Sequence, residues 1–367
     1  MFWIKEIGLF QKQTQNAARG YFTLVQNSTK TELKQGTYKP RLTLTNRFNC
    51  SGRSEKTLAI EFSAPKLIYG NNFDELTNSD FPDVVQKLKA ILKEMGVCVF
   101  ENNLINAPVS AIHYSKNIIL TDHTTPYTYL KQLSKLNINK RLDTDRTSFR
   151  NEGQSFKYHA NSFEIVFYDK IKDLEQARIS EKRAEEKDNA VQLHLLVKLR
   201  QQRPLEVIRI EIRLNKRQKI KQVLKTIGKE VELNFATLFN QNIAKQVLLS
   251  HLIKLEGAYP PLLIYQQNTP TKFFTGLLVA NPKIKLMLAI KMVGLKGLLD
   301  EIGVRGFREL TKRYKNSSWY SLNKEMKKLK TADEVSVFSM LREEVTKFKP
   351  LRLLANQDGM LNNVKYN

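Results

Sequence analysis

The sequence predicts an α+β fold: a mostly antiparallel sheet flanked by helices, followed by an all-α region. Two observations carry this. Period-two alternation recurs up to Leu214, most clearly in Val207–Leu214 (VIRIEIRL). There Ile208, Ile210, Ile212 and Leu214 share one face, and Val207, Arg209, Glu211 and Arg213 share the other. From about Val223 the pattern turns almost wholly helical, divided at Tyr259-Pro260-Pro261 and Asn281-Pro282. The expected division is residues 1–221, 222–350 and a loosely ordered tail, 351–367.

Residues 1–62 read as β-rich. Gly20–Gln26 and Arg41–Asn46 alternate weakly, and Leu58–Phe62 alternates better. Ser63–Asn72 (SAPKLIYGNN) then joins a strand to a helix expected at Asp80–Glu94, with Gly96 as its C-cap. Gly70-Asn71-Asn72 is a tight turn that, with Lys66 and Tyr69, could hold a phosphate or stack a base; read alone it is a plain turn. Val97–Phe100 and Val109–Tyr114 are expected strands, and Pro126–Leu136 an expected short helix. In the second strand Val109, Ala111 and His113 share a face.

The stretch Phe156–Lys170 (FKYHANSFEIVFYDK) sets a tyrosine beside a histidine, turns at Asn161-Ser162 and enters a strand, Phe163–Tyr168. Phe163, Ile165 and Phe167 form one face of it; Glu164, Val166 and Tyr168 form the other. Asp169–Arg200 reads as a charged helix whose run Glu181–Asp188 is a solvated connection. Lys216–Lys221 opens a further basic helix. Near the end, Lys283–Ile302, Val304–Tyr314 and Trp319–Lys330 read as three helices with tight joints at Gly303 and Lys315–Ser318. They suit either a helix-turn-helix unit or a bundle packed on the first domain.

Composition narrows the partners. The 367 residues include 60 Lys and Arg against 36 Asp and Glu, a formal charge of +24. So large an excess points to a polyanion, above all nucleic acid. A hydrophobic share of 41% argues against a disordered chain. The two cysteines, Cys50 and Cys98, form no CxxC pair, which suits a reducing cytoplasm. The first residues, MFWIKEIGLF, lack the pattern of a signal peptide, and the apolar window Leu286–Leu299 is interrupted by Lys291 and Lys296. No membrane partner is expected.

The polar faces of the central strands present His113, Glu164 and Glu211. An imidazole and two carboxylates suit Mg²⁺ or Mn²⁺. Tyr158, His159 and Tyr168 stand beside them, and a tyrosine next to a bound phosphate could attack it. Each feature also has a plain reading. A strand histidine is commonly structural, and Arg209-x-Glu211-x-Arg213 can be an ion-pair ladder.

Four segments occur in order: SAPKLIYGNN, APVSAIHYSKN, YHANSFEIVFYDK and IRIEIRLNKR. Together they resemble the gene II/X family of phage and plasmid replication proteins, the filamentous-phage type of rolling-circle initiator. The resemblance covers roughly residues 58–221. It implies a metal-dependent nuclease domain that nicks one origin strand, holds the 5′ phosphate on a tyrosine and later rejoins ends. It implies Tyr158 as nucleophile, with Tyr168 of the Tyr168-Asp169-Lys170 element as the alternative and His159 beside them. It implies Glu211 as a metal donor, beside the His113 and Glu164 that strand parity offers. His113 stands where the family usually carries an aspartate, and His159-Ala160 follow the tyrosine where a glycine is usual. The expected DNA contacts are Lys66, Lys170, Arg209, Arg213, Lys216 and Arg217. The expected partners are single-stranded origin DNA and a host helicase and polymerase, in the cytoplasm of a prokaryotic or phage-infected cell. The family also leads one to expect a short strand ahead of MFWIKEIGLF. The alternative is a helix-turn-helix DNA- or RNA-binding protein without catalysis.

Overall fold

A computed structural model describes residues 22–29, 32, 37–48, 54–121, 124–135, 147–150, 155–173, 205–258, 261–264, 269–311, 313–314, 316–330 and 338–352. The described residues build two antiparallel sheets. The first is a meander of β1 (Phe22–Gln26), β2 (Arg41–Phe48) and β3 (Ser54–Glu61). Its core side chains, Leu42, Leu44 and Leu58, pack with Leu67 of α1 (Ala64–Tyr69) and with Val84, Val85, Leu88 and Leu92 of α2 (Phe81–Glu94). The apolar spacing of α2 is that of one helix face. Ahead of it a short 3₁₀ turn, Asn78–Asp80, is closed by a capping box between Thr77 and Asp80, and Pro82 sits in the first turn of α2. Its end is fixed by Gly96, at φ 81°, after which Val97 N–H returns to Leu92 O at 2.7 Å.

The second sheet has the order β4-β8-β7-β6-β5, from Ile112–Ile119, Val207–Leu214, Phe163–Asp169, Ser155–His159 and Thr147–Arg150, with every neighbouring pair antiparallel. The face alternation expected for β7 and β8 is present. Ile165, Phe167, Ile208, Ile210, Ile212 and Leu214 point into one apolar core. Tyr129, Leu130 and Leu133 of α4 (Pro126–Ser134) cover that face, as do Val247, Leu248 and Leu252 of α7 (Gln241–Ala258).

Several expectations change. Val97–Phe100 pairs with no strand among the described residues and leads into helix α3 (Glu101–Ile105). The strand expected at Val109–Tyr114 begins later and runs to Ile119, because Pro108 cannot donate to a ladder and pairs only as an isolated bridge with Asn234. Ser155–His159, read as the approach to a turn, is itself a strand paired with β7. Thr147–Arg150, where no element was expected, is a strand as well. Of the expected charged helix, Asp169–Arg200, only residues 169–173 lie among those described, with Asp169 as the end of β7, and none of Glu181–Asp188 does.

After β8 the described residues form helices: α5 (Arg217–Thr226), α6 (Phe235–Leu238), α7, α8 (Pro261–Ile264), α9 (Pro270–Ala280), α10 (Leu286–Leu310), α11 (Asn316–Met326) and α12 (Ser339–Lys347). The expected division after residue 221 falls inside α5. Ile220, Val223 and Leu224 on either side of it enter the same core as Ile210, Leu299 and Val345. The break expected at Gly303 exists: φ 68° and ψ 175° interrupt α10. This backbone requires glycine, and a Cβ there would lie 2.8 Å from Lys135 Cα. Of the expected tail, Leu351 and Arg352 are described. Leu351 N–H donates to Glu75 Oε2 at 3.0 Å, and Arg352 pairs with Asp80 at 2.7 Å. Among the described residues no helix is long and apolar enough to cross a membrane.

Candidate functional site

The face of the second sheet opposite its core carries a row of polar residues. Registration sets His113 opposite Arg213 and Ser115 opposite Glu211. It sets Glu164 opposite Arg213 and Tyr168 opposite Arg209. His159 stands opposite Glu164, and Lys157 opposite Val166. Strand parity therefore brings His113, His159, Glu164, Tyr168, Arg209, Glu211 and Arg213 to one face.

Glu211 is the centre of this face. It is 7% exposed, and its carboxylate meets Arg213 Nε at 3.0 Å, Arg209 Nε at 3.8 Å and His113 Nδ1 at 3.6 Å. The Tyr168 hydroxyl donates to Glu211 Oε2 at 3.5 Å. Glu164 sits one strand away and is bound by Lys157 Nζ at 2.7 Å and Arg213 Nη1 at 3.2 Å. Burial alone would raise the Glu211 carboxyl, but Arg209 and then Arg213 overcome it and hold the group at about 2. Burial lowers His113 below its ordinary value, and the neighbouring Glu211 offsets only part of that. Burial pushes the Tyr168 hydroxyl well above the usual tyrosine range; Arg209 pulls the other way and Glu211 adds to the rise.

The loop after α1 closes one end of this face. Gly70, at φ 67°, ends the helix, and Asn71 Oδ1 accepts from Phe73 N and Asp74 N at 2.9 and 2.8 Å. That turn delivers Asn72 to the sheet. Its carbonyl accepts from Arg209 Nη1 at 2.6 Å, and its side-chain oxygen accepts from Lys170 Nζ at 2.8 Å. Arg209 Nη2 also donates to Ser115 Oγ at 2.8 Å. The SAPKLIYGNN turn thus reaches the strands as a clamp on Arg209 and Lys170.

The remaining predicted residues divide. Tyr158 lies on the opposite face. It is 3% exposed, packs edge-on against Phe156 and donates to Leu133 O at 3.1 Å. It is a buried core residue on the face away from Glu211, which argues against its assignment as nucleophile. Lys170 is fully buried beneath Asn72, so it is a structural cation rather than a DNA contact. Arg209 is held in place by Asn72 and Ser115. Arg213 is about one-third exposed. Lys66 sits over the Tyr38 ring, away from this cluster's hydrogen bonds. Lys216 and Arg217 are exposed at the start of α5, directly after β8.

Sequence reasoning missed Lys157, Ser115 and Asn117. Asn117 donates to Phe73 O at 2.6 Å and tethers the same loop. The signal for Lys157 was present, since Phe156 and Tyr158 flank it with the alternation of a strand.

The donor types of His113, Glu164 and Glu211 suit a hard divalent ion, but their placement does not fit one. Oxygens of both carboxylates are taken by Lys157, Arg209 and Arg213, three cations against two anions. Among the described residues no group of three His, Cys, Asp or Glu side chains is close enough to hold an ion. Compared with protein-family models, curated proteins and solved structures, the chain matches none.

Proposed function

We propose that the chain initiates rolling-circle DNA replication by nicking one strand through a tyrosine, with Tyr168 as the nucleophile. The observation that carries this reading is the Tyr168 hydroxyl, 3.5 Å from Glu211 on a sheet face that also bears His113, Arg209 and Arg213. Tyr168 Oη would bond to the scissile phosphorus, and the phosphorus–O3′ bond would break. Glu211, held at about 2, orients the Tyr168 hydroxyl but is too weak a base to keep its proton, which passes to water, and the departing 3′ oxygen takes up a proton from water to become the priming hydroxyl. The phosphotyrosine keeps the energy of the broken bond, so the reverse attack rejoins ends.

The guanidinium group of Arg213 would bind the phosphodiester oxygens, and Arg209, held by Asn72 and Ser115, would add fixed positive charge to offset what grows on them. Arg209 also favours the phenolate over the phenol, against the burial that opposes it. Single-stranded DNA would reach the face past Lys216 and Arg217, whose exposed charges suit its backbone. The reading calls for Mg²⁺ or Mn²⁺, with His113, Glu164 and Glu211 as expected donors, which ion pairs engage in the folded chain. A host helicase and polymerase would use the freed 3′ end.

A second reading, DNA or RNA binding without catalysis, draws on that closed ion-pair network and on the exposed lysines at 283, 285 and 291 around the start of α10. One experiment separates the two. Incubation with Mn²⁺ and single-stranded origin DNA gives a covalent protein–DNA band for the nickase and none for the binder. Tyr168→Phe should abolish that band.

A further inference from the structure

Helix α10 is apolar on two sides. Ala289, Met292, Leu295 and Leu299 recur at helical spacing and are buried. A second side carries Leu286, Met287, Ile290 and Leu298, which are between 45% and 73% exposed. Gly294 and Gly297 lie on that same outer side, and a Cβ at either would meet nothing within 4 Å. Lys283 stands exposed just ahead of the helix. Glu301, also exposed, continues the outer side up to the break at Gly303. A surface helix ordinarily turns polar residues outward, so four large apolar side chains on one outer side mark a contact surface.

The order of these residues says what covers them. Counted outward from Met292, the outer side is its own complement when reversed. Ile290 and Gly294 are equally far from that point, as are Met287 and Gly297, Leu286 and Leu298, and Lys283 and Glu301. A second copy, turned about a twofold axis at the level of Met292, sets Ile290 and Met287 opposite glycines. It also sets leucine opposite leucine and lysine opposite glutamate. The glycines leave hollows that let two backbones approach and that receive the larger side chains. Other occupants fit less well. A lipid surface fills no hollows and attracts basic ends only, whereas this side ends in a glutamate. A nucleic-acid backbone matches neither the apolar middle nor that glutamate.

We infer that the outer side of α10 is a self-association surface, on which α10 of a second copy of this chain packs antiparallel. The inference is independent of the nickase reading. Two chains of formal charge +24 repel one another, so the association should be weak, with a dissociation constant in the micromolar range.

The test is sedimentation velocity of the full chain, freed of nucleic acid, from about 1 to 100 µM. The wild type should pass from monomer to dimer over that range. Gly294→Leu should stay monomeric, because the new side chain has open space in its own chain but fills the hollow that receives Ile290. A merely adhesive surface would respond the other way, since the variant is more apolar; dimerisation of Gly294→Leu as tight as the wild type overturns the inference. Lys283→Glu and Glu301→Lys should each dimerise roughly 10-fold more weakly, because two attractions become repulsions. An equimolar mixture of the two should recover the wild-type affinity, since each chain then offers the charge that the other lacks. A mixture no tighter than its components contradicts the antiparallel pairing. Thermal melting checks that each variant folds, and should Gly294→Leu not, the exposed charge variants decide alone. A wild type that is monomeric at every concentration overturns the inference. So does a monomer that floats with phosphatidylglycerol vesicles, which would give the surface to lipid.

Discussion

Tyr158 and Tyr168 lie on neighbouring strands of one sheet but on opposite faces: Tyr158 donates to Leu133 O in the core, and Tyr168 donates to Glu211 among the ionic groups. The two phenols therefore have separable roles. Tyr158→Phe loses the buried hydrogen bond to Leu133 O and should cost about 1 kcal/mol of stability, and on the proposed reading nicking continues. Chemical denaturation and a nicking assay on the same preparation check both halves.

Lys216 and Arg217 should act through charge alone. If they contact DNA as proposed, replacing both with Ala removes two phosphate contacts, so the dependence of log affinity on log salt for single-stranded DNA should become shallower by about 1.4. Fluorescence anisotropy over a salt series measures this. An unchanged slope would place the DNA elsewhere.

His251 gives the folded chain an acid sensitivity apart from the site. It is 7% exposed on α7, with Nδ1 2.9 Å from Val247 O, and burial holds its pKa at about 4 against an ordinary 6.5. The unfolded chain therefore takes up a proton first as pH falls. Stability should drop between pH 6.5 and 4, by up to about 3 kcal/mol from this group. His251→Leu should flatten that part of the pH–stability curve, measured by urea denaturation at several pH values.

Gly303 is constrained by its own torsion and by the approach of Lys135, whose carbonyl accepts from Val304 N–H at 2.9 Å. Gly303→Ala should destabilise the chain by about 3 kcal/mol or more, since the strained torsion alone costs about 1–3 kcal/mol and the Cβ meets backbone besides. Thermal melting tests it, with Gly297→Ala as a control, because a Cβ at Gly297 meets nothing within 4 Å.

Much of the sheet was legible because its alternation is strict. Val207–Leu214 and the strand after Asn161-Ser162 sort their residues to the expected faces, and that parity alone placed His113, Glu164 and Glu211 together. What misled was position along the chain. Tyr158 precedes the turn, so its face depends on the register of a strand whose alternation, Phe156-Lys157-Tyr158, could be read only once it was recognised as a strand. Pairing then turned Tyr158 to the core and Lys157 to the ionic face. Lys170 shows another limit. A lysine after a strand reads as a DNA contact, and its burial follows from the Asn72 turn, which is distant in sequence. The helical region was visible as helix, but its continuity with the sheet's core was not, because local periodicity reports that a face is apolar and not what covers it.

The most direct measurement is the identity of the residue that carries DNA. Purified chain is incubated with Mn²⁺ and labelled single-stranded origin DNA, the covalent product is isolated on a denaturing gel, and the linked peptide is sequenced by mass spectrometry. The account predicts a phosphodiester on Tyr168, and no product from Tyr168→Phe. A link on Tyr158, or DNA bound with Mn²⁺ present and never cleaved, would contradict it.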